Sequence, residues 1–375
     1  MAVQGLRVTH VVTRNHRRGA ENVAVNLSVA LEDHHVDNQL LALFDGPRGQ
    51  ELPNARSLGG RGRLGWLRTV LRLRRAVTAS RPDVIIAHGG AAAFAAVAAF
   101  PFDAAVPIVW QRILELPPGA TSRWQRLPWV VLSRRVAAAV VITAHVEEEV
   151  RGFGFEGPIV RVPNHRPYAR FGSIDRARAS ARLRDELAIG SEPIVGFASH
   201  LFDQKRPERF IDVAEQITRD GSDAVFVMAG SGPLHASMAA QIEVRGLAKR
   251  VVMLGHREDV DELLGAFDVL LLTSESETMP GVLVEAQMTG CPVVSYPVDG
   301  ADEAVMSGVS GVVLDRGDTK VMADVVSSLL GDPGRLVAMS QSARLHARQF
   351  ATEVVVEQYR ALFESLCVRD LRLVS

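Results

Sequence analysis

Cysteine and lysine are scarce in this chain of 375 residues, and long apolar runs are missing. The two cysteines, Cys291 and Cys367, are too few for a disulfide framework, and their apolar contexts indicate a reducing compartment. The apolar run 91–100 is far shorter than the roughly 20 residues that a membrane span needs, which favours a buried, alanine-rich helix. Residues 1–7 lack the pattern of a signal peptide. We therefore expect a cytoplasmic globular protein.

Basic charge is carried almost entirely by arginine, and it is unevenly distributed. The net charge is −1, and the only lysines are Lys205, Lys249 and Lys320. Up to Arg170 there are 22 basic and 13 acidic residues, whereas the remainder has 20 basic and 30 acidic residues. This asymmetry indicates two domains that face different partners. Because lysine is rare here, a lysine inside a motif carries weight.

Apolar runs typical of buried strands alternate with helical segments, which predicts parallel sheets covered on both faces. The alternation breaks near residues 162–167 and restarts at 194–198. A length of 375 residues also suits two domains. We therefore predict an α/β protein with two doubly wound, Rossmann-like domains at 1–170 and 171–348, followed by a helix within 349–375.

Polar and glycine-rich loops follow four predicted strands of the second domain. Ligands bind beyond the carboxyl ends of the strands in such sheets. Glu277 and Glu285 flank a Pro-Gly turn between a strand and a helix, where backbone amides can hold a phosphate. We expect Glu277 to bind a sugar ring and Glu285 to bind ribose hydroxyls, while Lys205 binds a diphosphate. The other predicted contacts of a nucleotide-diphosphate sugar are Gly230, Gly232, Gly255, His256, Arg257, Thr278, Met279, Pro280, Gly281 and Val282.

In these segments the chain resembles the family four retaining glycosyltransferases, which have the GT-B fold of two facing Rossmann-like domains. The resemblance covers almost the whole chain and depends on the order of its motifs. The Glu277–Glu285 pair is similar to the two-glutamate motif of the family, and Lys205 to its phosphate-binding lysine. Further matches are the segments 162–164, 229–233, 254–256 and 299–303, the loop at Gly19, and the closing helix around Tyr359, which resembles one that crosses back to the first domain.

The resemblance implies transfer from a UDP or GDP sugar with retention at the anomeric carbon, without a metal, a cofactor or a protein nucleophile. The first domain would bind the acceptor, which is a glycan, a lipid-linked molecule or a small molecule. The sequence departs from the family pattern at three places. His200, which would hold the diphosphate together with Lys205, stands where an arginine is usual. Arg18 stands where a first glycine is common. Gln111 and Arg112 stand where a histidine is common, so His88, after the preceding strand, is a substitute candidate for catalysis.

Two other functions remain open from the sequence. A nucleotide-sugar epimerase shares the architecture, and a non-catalytic sugar-nucleotide-binding protein needs the same contacts. An NAD dehydrogenase is disfavoured because residues 17–21 do not form a Gly-X-Gly-X-X-Gly turn. The Asp-Val-Asp at 259–261 resembles a metal-binding motif, but acidic residues also favour the first turn of a helix.

The segment from Arg61 to Arg75 combines apolar residues with arginines at helical spacing. One interpretation is a surface helix packed on the first sheet. The other is a basic amphipathic surface that binds an anionic membrane, which would place the protein peripherally on the inner membrane face. Nucleic acid is disfavoured as a partner, because no stacking platform or groove motif is evident.

Overall fold

The computed structural model describes residues 5–16, 19–60, 62–101, 106–112, 129–130, 132–152 and 154–371. The chain divides into two compact units. Unit 1 comprises Met1–His165 and Thr352–Ser375, and unit 2 comprises Arg166–Ala351. These limits differ from the predicted ones at 170 and 348. The backbone of Arg166 donates to Phe350 O (2.8 Å) and bridges to Ala351, so Arg166 belongs to unit 2.

Unit 1 contains a parallel sheet of seven strands. The strands are β1 (Arg7–Arg14), β2 (Asp37–Phe44), β3 (Ala55–Gly60), β4 (Val84–His88), β5 (Ile108–Arg112), β6 (Ala138–Val141) and β7 (Ile159–Arg161). Their spatial order is β3-β2-β1-β4-β5-β6-β7. All five residues of β4 are buried, as expected for a central strand covered on both faces. The described helices of this part are α1 (Gly19–Asp33), α2 (Gly62–Ser80), α3 (Gly90–Ala99) and α4 (Ala144–Gly152).

Unit 2 contains a parallel sheet of six strands. The strands are β8 (Ile194–Ala198), β9 (Val225–Ala229), β10 (Val251–Gly255), β11 (Val269–Leu272), β12 (Val293–Ser295) and β13 (Gly311–Val313). Their spatial order is β10-β9-β8-β11-β12-β13. The central pair is in register with Val269 beside Val195. From β8 the chain continues to one side of the sheet and from β11 to the other, so a crevice is expected between the loops that follow these strands.

Helices cover the second sheet on both faces. They are α5 (Tyr168–Gly172), α6 (Arg176–Leu187), α7 (Pro207–Arg219), α8 (His235–Val244), α9 (Val260–Ala266), α10 (Gly281–Thr289), α11 (Ala301–Ala304), α12 (Thr319–Leu330) and α13 (Pro333–Ala347). The local sequence explains where several of these helices begin. Asp175 caps α6 by accepting from the amides of Ala177 and Arg178, and Pro207 occupies the first turn of α7.

The closing helix α14 (Thr352–Leu371) belongs to unit 1 although it follows unit 2 in the sequence. Its residues Val355, Tyr359 and Phe363 are buried in one cluster with Val8 of β1 and Leu27 of α1. Burial of such side chains contributes roughly 1.5–3 kcal/mol each. The helix therefore supplies part of the hydrophobic core of unit 1.

The parallel sheets predicted from the sequence are confirmed, but three strands have sequences too mixed or too short to be predicted. The strand β3 has the mixed sequence ARSLGG without an apolar run. The strands β7 and β13 are only three residues long. The alanine-rich run forms α3, in which Ala92, Ala93, Ala95, Ala96 and Ala99 are buried. No helix in the described ranges is long and apolar enough to span a membrane.

Candidate functional site

A cavity of about 550 Å³ lies in unit 2 at the carboxyl ends of its strands. It opens beside the loops that follow β8 and β11, the two strands from which the chain continues to opposite sides of the sheet. Ligand sites in α/β proteins occur at such points. The predicted site residues that line this cavity are His200, Lys205, Gly230, His256, Arg257, Glu277, Pro280, Gly281, Val282 and Glu285.

Lys205 and Glu277 form an ion pair in the cavity wall. The distance from Lys205 Nζ to Glu277 Oε1 is 2.5 Å, and Ser274 Oγ donates to the same carboxylate oxygen at 2.7 Å. The Glu277 side chain is only 12% exposed. A cation and a hydroxyl thus fix the carboxylate in one orientation, which prepares it to accept hydrogen bonds from a ligand.

The two loops that carry this pair are joined by hydrogen bonds of their own. Gln204 Nε2 donates to Ser276 O at 2.9 Å, and the amide of Glu275 donates to Gln204 O at 2.9 Å. Thr273 Oγ1 donates to Lys205 O at 3.1 Å. These bonds hold the wall as one unit, so little ordering is needed when a ligand binds.

Glu285 pairs with Arg166, a residue that the sequence analysis did not identify. Arg166 Nε lies 2.7 Å from Glu285 Oε1, and both side chains are about one quarter exposed, at 24%. A Cβ on Gly281 would lie only 1.8 Å from Arg166 Nη2, so the guanidinium lies beside the first residue of α10. The alternation of strands and helices breaks near residues 162–167, but no local signal there links the segment to Glu285.

The N-terminus of α10 opens into the same cavity. Pro280 precedes the helix and makes no side-chain capping hydrogen bond, while Gly281 and Val282 line the cavity. The first amides of a helix lack partners within the helix, and the helix dipole favours an anion there. Thr278 and Met279, which also were predicted contacts, are not part of the cavity wall, and Met279 packs against the hydrophobic core.

Two glycines shape the turn after β9. Gly230 has a φ of +149°, and a Cβ there would lie 1.8 Å from Ser199 O. A Cβ on Gly232 would lie 2.4 Å from Leu201 O. Both glycines therefore allow the loops after β8 and β9 to approach closely. Gly230 lines the cavity, and Gly232 and Gly255 lie outside its wall.

The Arg257 guanidinium is already engaged by two carboxylates. Its Nη1 donates to Glu186 at 2.5 Å and its Nε donates to Asp259 at 2.7 Å. These hydrogen bonds raise the pKa of Arg257 and lower the pKa of Asp259. The Arg257 side chain is therefore engaged within the protein, and a contact of residues 255–257 with a nucleotide would be made by their backbone.

Both carboxylates of the Asp-Val-Asp motif at 259–261 form ion pairs with arginines. Besides the pair between Asp259 and Arg257, Asp261 accepts from Arg170 Nε at 2.9 Å. In the part of the chain that the structure describes, no group of three or more His, Cys, Asp or Glu residues is placed to hold a metal ion. The motif therefore has a structural explanation at the start of α9.

His88 lies in the interior of unit 1, in a chain of buried polar groups. Its Nε2 is 3.0 Å from His10 Nδ1, and its Nδ1 hydrogen bonds to Gln111 Oε1. Gln111 Nε2 donates to Tyr359 OH at 2.5 Å. Desolvation lowers the pKa of His88 to about 4 and lowers that of His10 well below its usual value. Since both ring nitrogens of His88 have protein partners, we do not retain a catalytic role for it.

The remaining predicted features lie in unit 1. Gly19 is the first residue of α1, and Arg18 lies outside the described residues. In α2, Val70, Leu73 and Val77 are buried, whereas Leu67 and Leu71 are 64% and 56% exposed. The predicted apolar stripe is therefore divided between an inner face and an outer face.

The arginines of α2 likewise fall into two groups, one bonded to the protein and one exposed to solvent. Arg72 Nη1 donates to Leu58 O at 2.6 Å and Arg74 Nη1 donates to Ala99 O at 2.9 Å, so these two contribute to packing. Arg68 and Arg75 are exposed, as are Leu67 and Leu71. Arg61 lies outside the described residues.

Two protein-family models match the chain, one in each half. The model "Glycosyl transferases group 1" matches residues 180–346, and the model "Glycosyltransferase Family 4" matches residues 17–166. The first match includes every predicted site residue of unit 2.

Similar proteins include several glycosyltransferases. The alpha-D-kanosaminyltransferase of Streptomyces kanamyceticus is 28% identical over 327 residues, which is 82% of either chain. The D-inositol 3-phosphate glycosyltransferase of Nocardia farcinica is 33% identical over 213 residues, which is 53% of this chain and 47% of that protein.

A similar solved structure is that of Anabaena HepE in complex with UDP. It has a TM-score of 0.81 at 20% sequence identity and covers 96% of this chain and 100% of that chain. The same protein in complex with UDP-glucose has a TM-score of 0.73. These similarities confirm the predicted fold of two Rossmann-like domains.

Proposed function

Because the chain belongs to the group 1 glycosyltransferases with the GT-B fold, we propose that it transfers a sugar from a nucleoside-diphosphate sugar with retention at the anomeric carbon. The observation that carries this proposal is the Lys205–Glu277 pair, which meets beside the N-terminus of α10 in the cavity of unit 2. A cation, helix amides and an oriented carboxylate are the groups needed to bind a diphosphate and a sugar hydroxyl together.

We assign one part of the donor to each group in the cavity. The amides of Gly281 and Val282, together with Lys205, hold the diphosphate. Glu277 accepts hydrogen bonds from the transferred sugar, and Glu285 from the ribose. The backbone of residues 255–257 faces the base. The acceptor, which is a glycan, a lipid-linked molecule or a small molecule, binds to unit 1.

The reaction proposed for this site breaks the bond between the anomeric carbon and the diphosphate oxygen. The acceptor oxygen forms the new bond on the same face of the sugar, and its proton passes to the departing phosphate. Neither a protein nucleophile nor a metal ion takes part. The barrier is lowered by donors already aimed at the phosphate where negative charge develops, an effect that costs no reorganisation during the reaction.

Calorimetry with UDP, GDP and their common hexose conjugates tests the donor assignment. We expect one nucleoside diphosphate to bind, and Glu285→Ala to weaken that binding. The UDP complexes of the similar Anabaena structure make UDP the first probe. If no diphosphate binds, or if Glu285→Ala leaves the affinity unchanged, the site assignment is wrong.

Product analysis then tests the reaction class. The donor that binds is incubated with sugar, polyol and lipid-linked acceptors, among them inositol 3-phosphate, and the anomeric proton of the product is examined by NMR spectroscopy. Retention requires the same anomeric configuration in donor and product. Inversion contradicts the proposed stereochemistry. Formation of an epimerised nucleotide sugar without any acceptor would instead identify an epimerase.

We further propose that the exposed face of α2 binds an anionic membrane surface from the cytoplasmic side. The face combines Leu67 and Leu71 with Arg68 and Arg75, all of them exposed. Apolar side chains beside arginines are the chemistry that inserts into a headgroup region and attracts anionic lipid.

A further inference from the structure

We propose that Arg166 binds the diphosphate of the donor and supplies the guanidinium that the loop after β8 lacks at His200. This inference rests on the proposed function and adds a residue to it. Arg166 lines the same cavity as His200 and Lys205, but it approaches from the segment that begins unit 2.

The backbone of Arg166 is anchored to unit 2 rather than carried on a loop. Its amide donates to Phe350 O at 2.8 Å, and its backbone bridges to Ala351. The side chain then reaches Glu285 in the second turn of α10, where Nε lies 2.7 Å from Oε1. The origin and the end of the side chain are thus both fixed relative to α10.

The guanidinium lies beside the position that a phosphate held by the helix amides would take. Arg166 Nη2 occupies the space that a Cβ on Gly281 would fill, at 1.8 Å from that position. Gly281 is the first residue of α10, whose amides open into the cavity. A phosphate bound to these amides would therefore lie within hydrogen-bonding reach of the guanidinium, whose planar N–H groups suit phosphate oxygens.

Charge explains why Glu285 is needed to keep a cation at this place. A helix N-terminus carries partial positive charge, which opposes a guanidinium beside it. Glu285, one turn further along α10, offsets this repulsion through its ion pair with Arg166. A diphosphate is attracted by the guanidinium and by the helix end together. One oxygen of Glu285 then positions Arg166, and the other remains for the ribose.

Arg257, the other arginine in the described cavity wall, is bound to carboxylates of the protein instead. Arg257 uses Nε, Nη1 and Nη2 in hydrogen bonds to Glu186 and Asp259. Lys205 is the cation on the opposite loop, paired with Glu277. Arg166 and Lys205 would therefore hold the diphosphate from two sides.

The ratio of nucleoside-diphosphate affinity to nucleoside affinity isolates the contribution of the phosphates. Calorimetry, by competition where binding is weak, gives dissociation constants for uridine and UDP, or for guanosine and GDP if the guanine nucleotide binds. We expect Arg166→Gln to lower this ratio by about tenfold or more, the usual effect of losing a charged hydrogen bond. Arg219→Gln is the control, because Arg219 also pairs with a glutamate (2.5 Å to Glu215) but does not line the cavity.

The Arg166→Gln substitution in a Glu285→Gln variant separates direct binding of the phosphates by Arg166 from simple neutralisation of Glu285. In Glu285→Gln, the Arg166→Gln substitution should still lower the ratio if Arg166 contacts the phosphates. If Arg166 only cancels the charge of Glu285, the substitution will have no effect in that background, and the inference is wrong. Equal ratios in the unaltered protein and Arg166→Gln also contradict it. Failure of both diphosphates to bind the unaltered protein contradicts the proposed function itself.

Gly281→Ala tests the same position without changing any charge. Its new methyl group would displace the Arg166 guanidinium, so the ratio should fall as in Arg166→Gln. Gly334→Ala is the matched control, because Gly334 also lies in the first turn of a helix and a Cβ there has only ordinary contact, 3.5 Å from Asp332 Oδ1. An unchanged ratio in a folded Gly281→Ala variant would contradict the placement of Arg166 at the phosphate.

Discussion

Lys205 Nζ lies 2.5 Å from Glu277 Oε1 although the two residues are 72 positions apart in the sequence. Their loops follow β8 and β11, the adjacent central strands of the second sheet. The sheet topology therefore brings together the only lysine in the cavity wall of the described chain and the acid expected to bind the transferred sugar. A change in either residue therefore alters the surroundings of the other.

Substitution of Lys205 should remove most of the catalytic activity. Lys205→Ala removes a cation from the departing phosphate and leaves Glu277 without its ion-pair partner. We expect turnover of the donor to fall roughly 100- to 1,000-fold, the range found when one preorganised electrostatic contact is lost. The measurement is the initial rate of nucleoside diphosphate release. Lys249→Ala is the control, because Lys249 is exposed and lies outside the cavity. Near-normal turnover in Lys205→Ala would remove Lys205 from the mechanism.

Gly230 is expected to tolerate no side chain. In Gly230→Ala the Cβ would meet Ser199 O at 1.8 Å, in addition to the strain of a φ of +149°. The strain alone costs roughly 1–3 kcal/mol, and the loops after β8 and β9 must also separate. We expect a lower melting temperature and a loss of diphosphate binding.

Gly221 is the control for Gly230, because a side chain there would strain the backbone without meeting another atom. Gly221 has a φ of +89°, and a Cβ there meets nothing within 4 Å. Gly221→Ala should therefore destabilise the protein less and should leave diphosphate binding intact. Equal melting temperatures and affinities in the two variants would show that the approach of Gly230 to Ser199 is unimportant.

Unit 1 should lose stability when the pH falls from about 6.5 to about 4. His88 is buried, and its pKa is lowered from 6.5 to about 4 by desolvation, so the unfolded chain binds protons that the folded unit does not. Stability therefore rises with pH across this window and is lost on acidification. The shift of His88 corresponds to about 3 kcal/mol, and His10 acts in the same direction.

Tryptophan fluorescence can follow this loss, because the three described tryptophans (Trp66, Trp110 and Trp129) belong to unit 1, and the fourth, Trp124, lies outside the sequence range of unit 2. Denaturant unfolding at pH 7 and pH 5 gives the difference in stability. His10→Gln should weaken the pH dependence, because the amide donates to His88 without titrating. His35→Asn should not, since His35 is exposed and its left-handed backbone suits asparagine. A stability that is independent of pH over this range would contradict the prediction.

Binding to anionic vesicles should depend on the exposed face of α2. Each arginine near an anionic surface contributes about 1 kcal/mol, so a variant with both Arg68→Gln and Arg75→Gln should bind roughly tenfold or more weakly. Replacement of Leu67 and Leu71 by Gln should also weaken binding. Cosedimentation with phosphatidylglycerol vesicles, compared with phosphatidylcholine vesicles, measures both effects.

Two exposed apolar residues of α13 provide the control for the vesicle experiment. Val337 and Leu345 are 58% and 66% exposed, similar to the leucines of α2. Replacing both with Gln should leave vesicle binding unchanged. If the unaltered protein does not cosediment with anionic vesicles, the proposed membrane surface is wrong.

The sequence predicts the strands and loops of the site because their signals are local. Strands such as β4 and β8 are continuous apolar runs, and polar loops at their ends mark the crevice of a parallel sheet. Lys205, Glu277 and Glu285 were identified in this way. Short strands such as β13 carry too few residues for a periodic signal.

Contacts between distant segments could not be predicted in the same way. Arg166 is one arginine among many, and its place beside Glu285 depends on how the start of unit 2 pairs with Ala351. His88 lies at the carboxyl end of β4, a position that suggested catalysis. Its actual neighbours include Gln111, whose amide reaches Tyr359 across 248 positions of sequence. Such long-range pairings appear only in the folded chain.

The position of α14 has a consequence for the order in which the protein matures during synthesis. All residues of unit 2 leave the ribosome before α14, whereas the core of unit 1 includes Val355, Tyr359 and Phe363 of that helix. The second unit can therefore complete its core while the first still exposes an uncovered apolar surface. A chain arrested near Ala351 should present one finished unit and one unfinished unit, and the unfinished unit is the one that chaperones would recognise.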